Sequence, residues 1–298
     1  MEWILIALVP AVVWSFAVLC DKILVSRFIK DGIIAGILTN ISSSIIVLLL
    51  ALFCPIAYLP LNAILLILLA GALWGWSRIF FVKGISLDEA TRVVAIGNVS
   101  PVIILLGSAL FFGEALTGAH FLAFALIFAG IIWVSLRKSK GALHFSPAML
   151  WMLLSAILFA ASTLLLKGRG MDDWWTVLFW LNLGFGLGSV PLLAKRSYFS
   201  GARRAFSRNA FALLGMLLLI NAFTLSGRAA YFVALGLGPA ALVSVLASLQ
   251  TAIVFIIALL LSLYAPSIIK EECTLRIFIN KLGAIIIILL GIALLYLG

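Results

Sequence analysis

The sequence predicts an all-α integral membrane protein of ten transmembrane helices, arranged as two inverted five-helix repeats around a central cavity. Three observations predict it. Apolar residues make up 65% of the 298 and charged residues 10%, against about 25% charged in a soluble domain. Ten apolar segments follow one another with short connections between them. Two stretches, 76–104 and 226–254, look like copies of one segment 150 positions apart, each stretch carrying an arginine (Arg78, Arg228) with an aromatic one turn further on (Phe81, Tyr231).

The segments fall at about 3–26, 32–53, 60–84, 90–112 and 116–136, then 147–168, 174–194, 210–235, 239–264 and 278–297. Crossing ~30 Å of hydrocarbon takes about 20 residues per helix. Ten helices therefore use roughly 200 to 230 positions, and no room is left for a soluble catalytic domain. The first run has no basic residues before it, so it reads as a retained helix and not a cleaved signal.

A polar stretch from Arg137 through Ser146 separates the halves, and Pro147 opens the sixth helix. The units are 1–146 and 147–298. An odd number of helices per half makes the second enter the bilayer from the opposite face, as in an inverted repeat.

The repeat is legible in residues that are rare in apolar helices. Trp74, Arg78 and Phe81 stand at i, i+4, i+7 on one helical stripe, and so do Thr224, Arg228 and Tyr231. Asn98 and Pro101 follow the first trio as Ser248 and Thr251 follow the second. Trp14, Val18 and Lys22 on the first helix match Phe159, Thr163 and Lys167 on the sixth, at an offset of 145. Gly130 and Gly291 match on the fifth and tenth.

Loop charge sets the orientation. Arg27, Lys30, Lys83, Arg92, Arg137, Lys138, Lys140, Lys195, Arg196, Arg203, Arg204, Arg208, Lys270, Arg276 and Lys281 fall on one side, against Lys167 and Arg169 on the other. The basic side is cytoplasmic by the positive-inside rule, which places both termini outside. The net charge of +10 belongs to these loops and implies no nucleic acid partner.

Cys20, Cys54, Cys273, His120 and His144 are isolated from one another, so neither a metal site nor a cofactor is expected. An intramembrane enzyme would need a nucleophile with a positioned base, and no such constellation is present.

A Lys or Arg inside a span costs about 2.5–3.5 kcal/mol at the bilayer centre and marks a solute path unless it snorkels. Lys22, Arg78, Lys167 and Arg228 are therefore the leading candidates for substrate binding. Asp21, the neighbour of Lys22, is the acid expected to neutralise it. Asn98, Ser248 and Gln250 are candidate polar contacts, and Trp14, Trp74, Phe81 and Tyr231 candidate walls. Pro101 is expected to bend the fourth helix and act in gating. Gly32/Gly36, Gly71/Gly75 and Gly184/Gly188 are GxxxG spacings that favour close helix packing and allow a homodimer.

Two blocks resemble a known family. Asn98–Pro101 (Asn-Val-Ser-Pro) leading through Leu110–Thr117 (Leu-Phe-Phe-Gly-Glu-Ala-Leu-Thr) to Gly130, and Ala241–Gln250 in the second half, are similar to the EamA-like branch of the drug/metabolite transporter superfamily. Thr251 stands where members of that family often carry a second proline. The resemblance implies a 5+5 inverted-repeat transporter whose cavity is lined by helices 1, 3, 4, 6, 8 and 9, and export sooner than import.

The function expected is a carrier of small metabolites, amino-acid-like or small organic anions, working by alternating access as an exporter, facilitator or exchanger. A flippase for a lipid-linked sugar or phosphate is the alternative. The expected setting is the lipid bilayer of a bacterial or archaeal cytoplasmic membrane.

Overall fold

The computed structural model describes residues 2–113, 117–139, 142–166, 173–237, 243, 246–264 and 275–297. The described chain is helical apart from one hairpin. In order it forms α1 (Glu2–Ile23), continued by a π-helical turn (Leu24–Phe28), α2 (Gly32–Leu50), α3 (Leu61–Leu87), α4 (Ala90–Gly97), α5 (Val99–Phe112) and α6 (Gly118–Ser135). The antiparallel strands β1 (Leu136–Ser139) and β2 (Ala142–Phe145) follow, with Leu136 opposite Phe145. Then come α7 (Met149–Leu166), α8 (Trp174–Ser189), a 3₁₀ turn (Val190–Ala194), α9 (Arg196–Leu237), α10 (Gln250–Tyr264) and α11 (Leu275–Leu297). The hairpin occupies the polar stretch between the halves.

Local chemistry sets the boundaries. The Asp31 side chain accepts the Ile33 N–H at 2.9 Å and starts α2. Asp173 does the same for Thr176 at the start of α8, at 3.2 Å. Gly113, at φ 69°, closes α5 in the left-handed conformation that a side chain would disfavour. α9 bends at Asn209, whose backbone leaves the helical region (φ −161°, ψ 80°). The stretch before that bend carries Arg196, Arg203, Arg204 and Arg208.

Seven helical stretches are long and apolar enough to cross a membrane: Ile4–Phe28, Gly32–Leu50, Leu61–Leu87, Ala90–Phe112, Met149–Leu166, Trp174–Ala194 and Arg196–Leu237. Gly118–Val134, Leu246–Ser262 and Phe278–Leu294 are shorter apolar helices. Leu5, Leu65, Leu122, Ile157, Leu218 and Leu290 lie exposed on the outer surface, as lipid-facing side chains do. Most of the interior is built from two buried clusters, beside two small ones around Leu19 and Ala258 and around Val47, Phe179 and Leu225. The first large cluster gathers Val93, Ala95, Ile127 and Ile288, and the second Trp74, Phe185, Tyr231 and Phe232.

Glycines bring the backbones together. Gly71 and Gly184 face each other where α3 crosses α8. A Cβ on Gly184 would lie 2.9 Å from the Gly71 Cα, and one on Gly188 3.1 Å from Ala72. Gly36 meets Ile79 of α3 in the same way, at 2.7 Å. All three GxxxG spacings are thus spent inside the chain, and the homodimer draws no support from them. Gly130 and Gly291 are reciprocal: the first faces the Ala284 carbonyl of α11, the second the Ala123 carbonyl of α6, each at 2.9 Å from a built Cβ.

Candidate functional site

Two polar systems lie inside the bundle. The first is a cavity of about 190 Å³, below the roughly 300–1,000 Å³ of sites for drug-sized molecules. Its wall comes from α1, α3, the α4–α5 junction, α7, α9 and the start of α10.

The trio Trp74, Arg78 and Phe81 lines one side, and Thr224, Arg228 and Tyr231 another. Helical spacing puts each trio on one stripe, and the packing turns both stripes inward. Trp14, Asn98, Pro101, Ser248 and Gln250 also line the cavity, as do Ser77, Ser100, Ser155 and Phe159. The aromatic walls are held by their own contacts: Trp14 with Tyr231 at 5.6 Å between ring centroids, and Trp74 with Phe159 at 5.0 Å.

The two arginines have different company. Arg78 makes a bidentate pair with Asp21, Nη1 to Oδ2 at 2.7 Å and Nη2 to Oδ1 at 2.8 Å. Its guanidinium also stands 5.8 Å from the Phe81 ring centroid. Asp21 is fully buried, so the pair is neutral overall and closed to water on the acidic side.

Arg228 is 4% exposed. Its Nη1 donates to Asn182 Oδ1 and, at 3.4 Å, to Ser43 Oγ. The ring of Phe185 lies 4.4 Å beneath the guanidinium carbon. Asn182 is fixed in turn by donating to the Leu178 carbonyl at 2.7 Å and accepting from Ser43 at 2.8 Å. Among the described residues no carboxylate reaches Arg228.

The sequence pattern missed Asn182, Ser43 and Phe185. An uncharged amide inside the apolar helix α8 was the available signal, because a polar side chain at such depth needs a partner.

The fourth helix breaks as well as bends. Asn98 stands between α4 and α5 at φ −66°, ψ 0°, three residues before Pro101. The proline has no N–H for the Gly97 carbonyl, and its ring crowds that oxygen. Ser100 Oγ takes over the carbonyl at 2.6 Å. Asn98 Nδ2 donates to Thr251 Oγ1 at 2.8 Å, joining this break to α10.

The second system lies around the α3–α4 junction, and it changes the reading of several cations. Lys22 does not line the cavity. Its ammonium donates to the Ile85 and Asp88 carbonyls at 2.9 and 2.6 Å, at the end of α3, where a cation meets the negative end of the helix dipole. Asp21, expected to neutralise Lys22, serves Arg78 instead.

Arg92 and Lys281, read from the sequence as loop cations, are buried. Arg92 Nη1 meets Asp88 Oδ1 at 2.7 Å, its Nε donates to the Val134 carbonyl at 2.8 Å, and Lys281 Nζ lies 2.9 Å from Glu89 Oε2. Ser146 donates to Asp88 Oδ2. The cluster ties the α3–α4 junction to α1, α6, α11 and the residues just before α7. Lys167, Glu114 and Ser244 lie outside the described residues.

These features are those of a multi-pass membrane protein with an internal polar cavity. Residues 1–136 match the EamA-like transporter family. The chain is also similar to the glucose uptake protein GlcU of Staphylococcus xylosus, at 27% identity over 201 residues, which is 64% of this chain and 68% of that protein. One solved crystal structure superposes on 100% of this chain and 96% of its own, with a TM-score of 0.62 at 15% identity, a likeness of fold. The EamA-like match and the uptake relative agree on a small-molecule membrane transporter and not an enzyme.

Proposed function

We propose that this protein is an alternating-access carrier for one small, hydroxyl-bearing organic solute. Ten helices act as two inverted five-helix repeats, residues 1–146 and 147–298, rocking about the cavity. The observation that carries this reading is the wall itself. Residues far apart in the chain, Trp74, Arg78 and Phe81 on α3 and Thr224, Arg228 and Tyr231 on α9, converge on one chamber. A buried cation facing a hollow inside apolar helices is costly unless a passing solute uses it.

The wall suits a solute of few atoms. Asn98, Ser77, Ser100, Ser155, Ser248 and Gln250 offer neutral donors and acceptors, and the aromatic rings offer flat apolar faces. Arg228 adds a place for an anionic group. Within the pair of cargoes expected from the sequence, these groups favour the small organic anion over the amino acid, because among the described residues no acid lines the cavity, and Asp21 behind Arg78 is already taken by that arginine. Pro101 and the break at Asn98 supply the flexible point of the wall. The basic loops face the cytoplasm and both termini lie outside.

A second reading, carriage of a neutral sugar, is favoured by the likeness to a glucose uptake protein and by the neutral polar lining. Purified protein in sealed vesicles separates the readings. A labelled small carboxylate exchanges across the membrane under the first and a labelled hexose under the second. Arg228→Ala abolishes exchange of the carboxylate. Carboxylate exchange that survives Arg228→Ala overturns the anion site.

A further inference from the structure

The two cavity arginines differ in one respect that a solute would feel. Arg78 has a carboxylate, Asp21, on two of its N–H groups. Arg228 has a carboxamide, Asn182, on Nη1 alone. A guanidinium offers five N–H donors. For Nε and Nη2 of Arg228 no acceptor is found among the described residues, and Arg228 is one of the residues that line the cavity. At the 145-residue offset that matches Trp14 with Phe159, Asp21 corresponds to Leu166, a buried apolar residue. The acid that neutralises the first arginine has no counterpart for the second.

We propose that Asn182 sets the charge selectivity of the cavity, so that the solute is a small hydroxylated monocarboxylate. This rests on the carrier reading above. The solute's carboxylate does for Arg228 what Asp21 does for Arg78, in the bidentate geometry that guanidinium favours. A neutral polyol leaves the Arg228 fork without an anion. A dicarboxylate brings a second charge for which Arg78 is already occupied. Asn182 touches no solute itself; it holds Arg228 in place, and as an amide it leaves the charge unspent.

Glucose, gluconate and glucarate test this, since they share a six-carbon hydroxylated skeleton and carry charges of 0, −1 and −2. Binding to the full-length purified protein is measured by titration calorimetry, and exchange is measured in sealed vesicles. Gluconate should bind roughly ten- to hundredfold more tightly than glucose, the factor a charge-assisted hydrogen bond supplies. It should exceed glucarate as well. Asn182→Asp, which gives Arg228 its own carboxylate, should bring the gluconate-to-glucose ratio down to about one, because the selective element is a difference of affinities.

A folded Asn182→Asp protein that keeps the gluconate preference overturns the proposal. So does a wild-type protein that prefers glucose or glucarate, or that binds none of the three. If the variant does not fold, the wild-type order decides alone. The expected order of binding without exchange of any solute sinks the carrier reading and leaves the charge selection standing. Exchange of glucose without gluconate preference does the reverse.

Discussion

Arg78 holds Asp21 through two parallel hydrogen bonds of 2.7 and 2.8 Å, joining α3 to α1 at the cavity wall. The Asp21 end of this bridge is withdrawn from water, while the Arg78 side chain is 12% exposed and faces the cavity. Removing Arg78 strands a buried carboxylate, which costs about 3–5 kcal/mol, and removing Asp21 costs less because the guanidinium keeps its opening to the cavity. Asp21→Ala and Arg78→Ala should each lower the thermal unfolding midpoint of the purified protein. The double variant should lose less than the sum of the two, since the second change removes the stranded charge. Additive losses would show that the pair is not coupled.

Glu89 and Lys281 join the α3–α4 junction to α11 at 2.9 Å. If this end of the bundle opens during a transport cycle, that contact breaks each time. Glu89→Gln should raise the reactivity of a cysteine placed at Ser146 towards a soluble maleimide, several-fold. Exchanging the charges, Glu89→Lys with Lys281→Glu, should bring reactivity back down. Unchanged reactivity in Glu89→Gln would make the cluster purely structural.

Asn98 and Thr251 should act together. Thr251→Val and Asn98→Ala each remove the 2.8 Å bond, with a cost of about 0.5–1.5 kcal/mol in stability. Pro101→Ala restores an N–H for the Gly97 carbonyl and favours one continuous helix. Its initial exchange rate in vesicles should fall while solute affinity stays within about threefold of wild type, as for loss of a flexible point and not of a contact.

Cys54 is exposed and Cys20 buried. In the proposed orientation, with the basic loops in the cytoplasm, the connection between α2 and α3 faces outward. Cys54 should therefore react with a membrane-impermeant maleimide in intact cells, and Cys54→Ser should remove that labelling. Labelling only after the cells are opened would reverse the orientation.

Much of this was legible in the sequence, for a physical reason. Charges are rare inside apolar helices, so Arg78 and Arg228 announce themselves, and helical spacing brings Trp74, Phe81 and Tyr231 with them. Partners were less legible. Asp21 and Lys22 are adjacent in sequence, but neighbours one apart on a helix point in different directions. Asp21 turns to α3's arginine and Lys22 to α3's last carbonyls. Arg92 and Lys281 lie near helix ends, where a solvated loop cation and a buried ion pair look alike in one dimension. Asn182 was hidden because its role depends on which helix packs beside α8.

The glycine crossings offer a contrast in stability. Gly215 has open space around a built Cβ. Gly215→Ala should gain about 0.5–1 kcal/mol by stiffening α9. Gly184→Val should lose about 1–3 kcal/mol or more, because the Gly71 backbone has nowhere to go. Thermal unfolding of the two purified variants gives both signs.

That same crossing fastens a rod of residues 1–146 to a rod of residues 147–298, since Gly71 and Gly184 meet back to back. Any rocking of the two proposed repeats must therefore pivot about this point, as a door does about its hinge pin, and cannot slide across it.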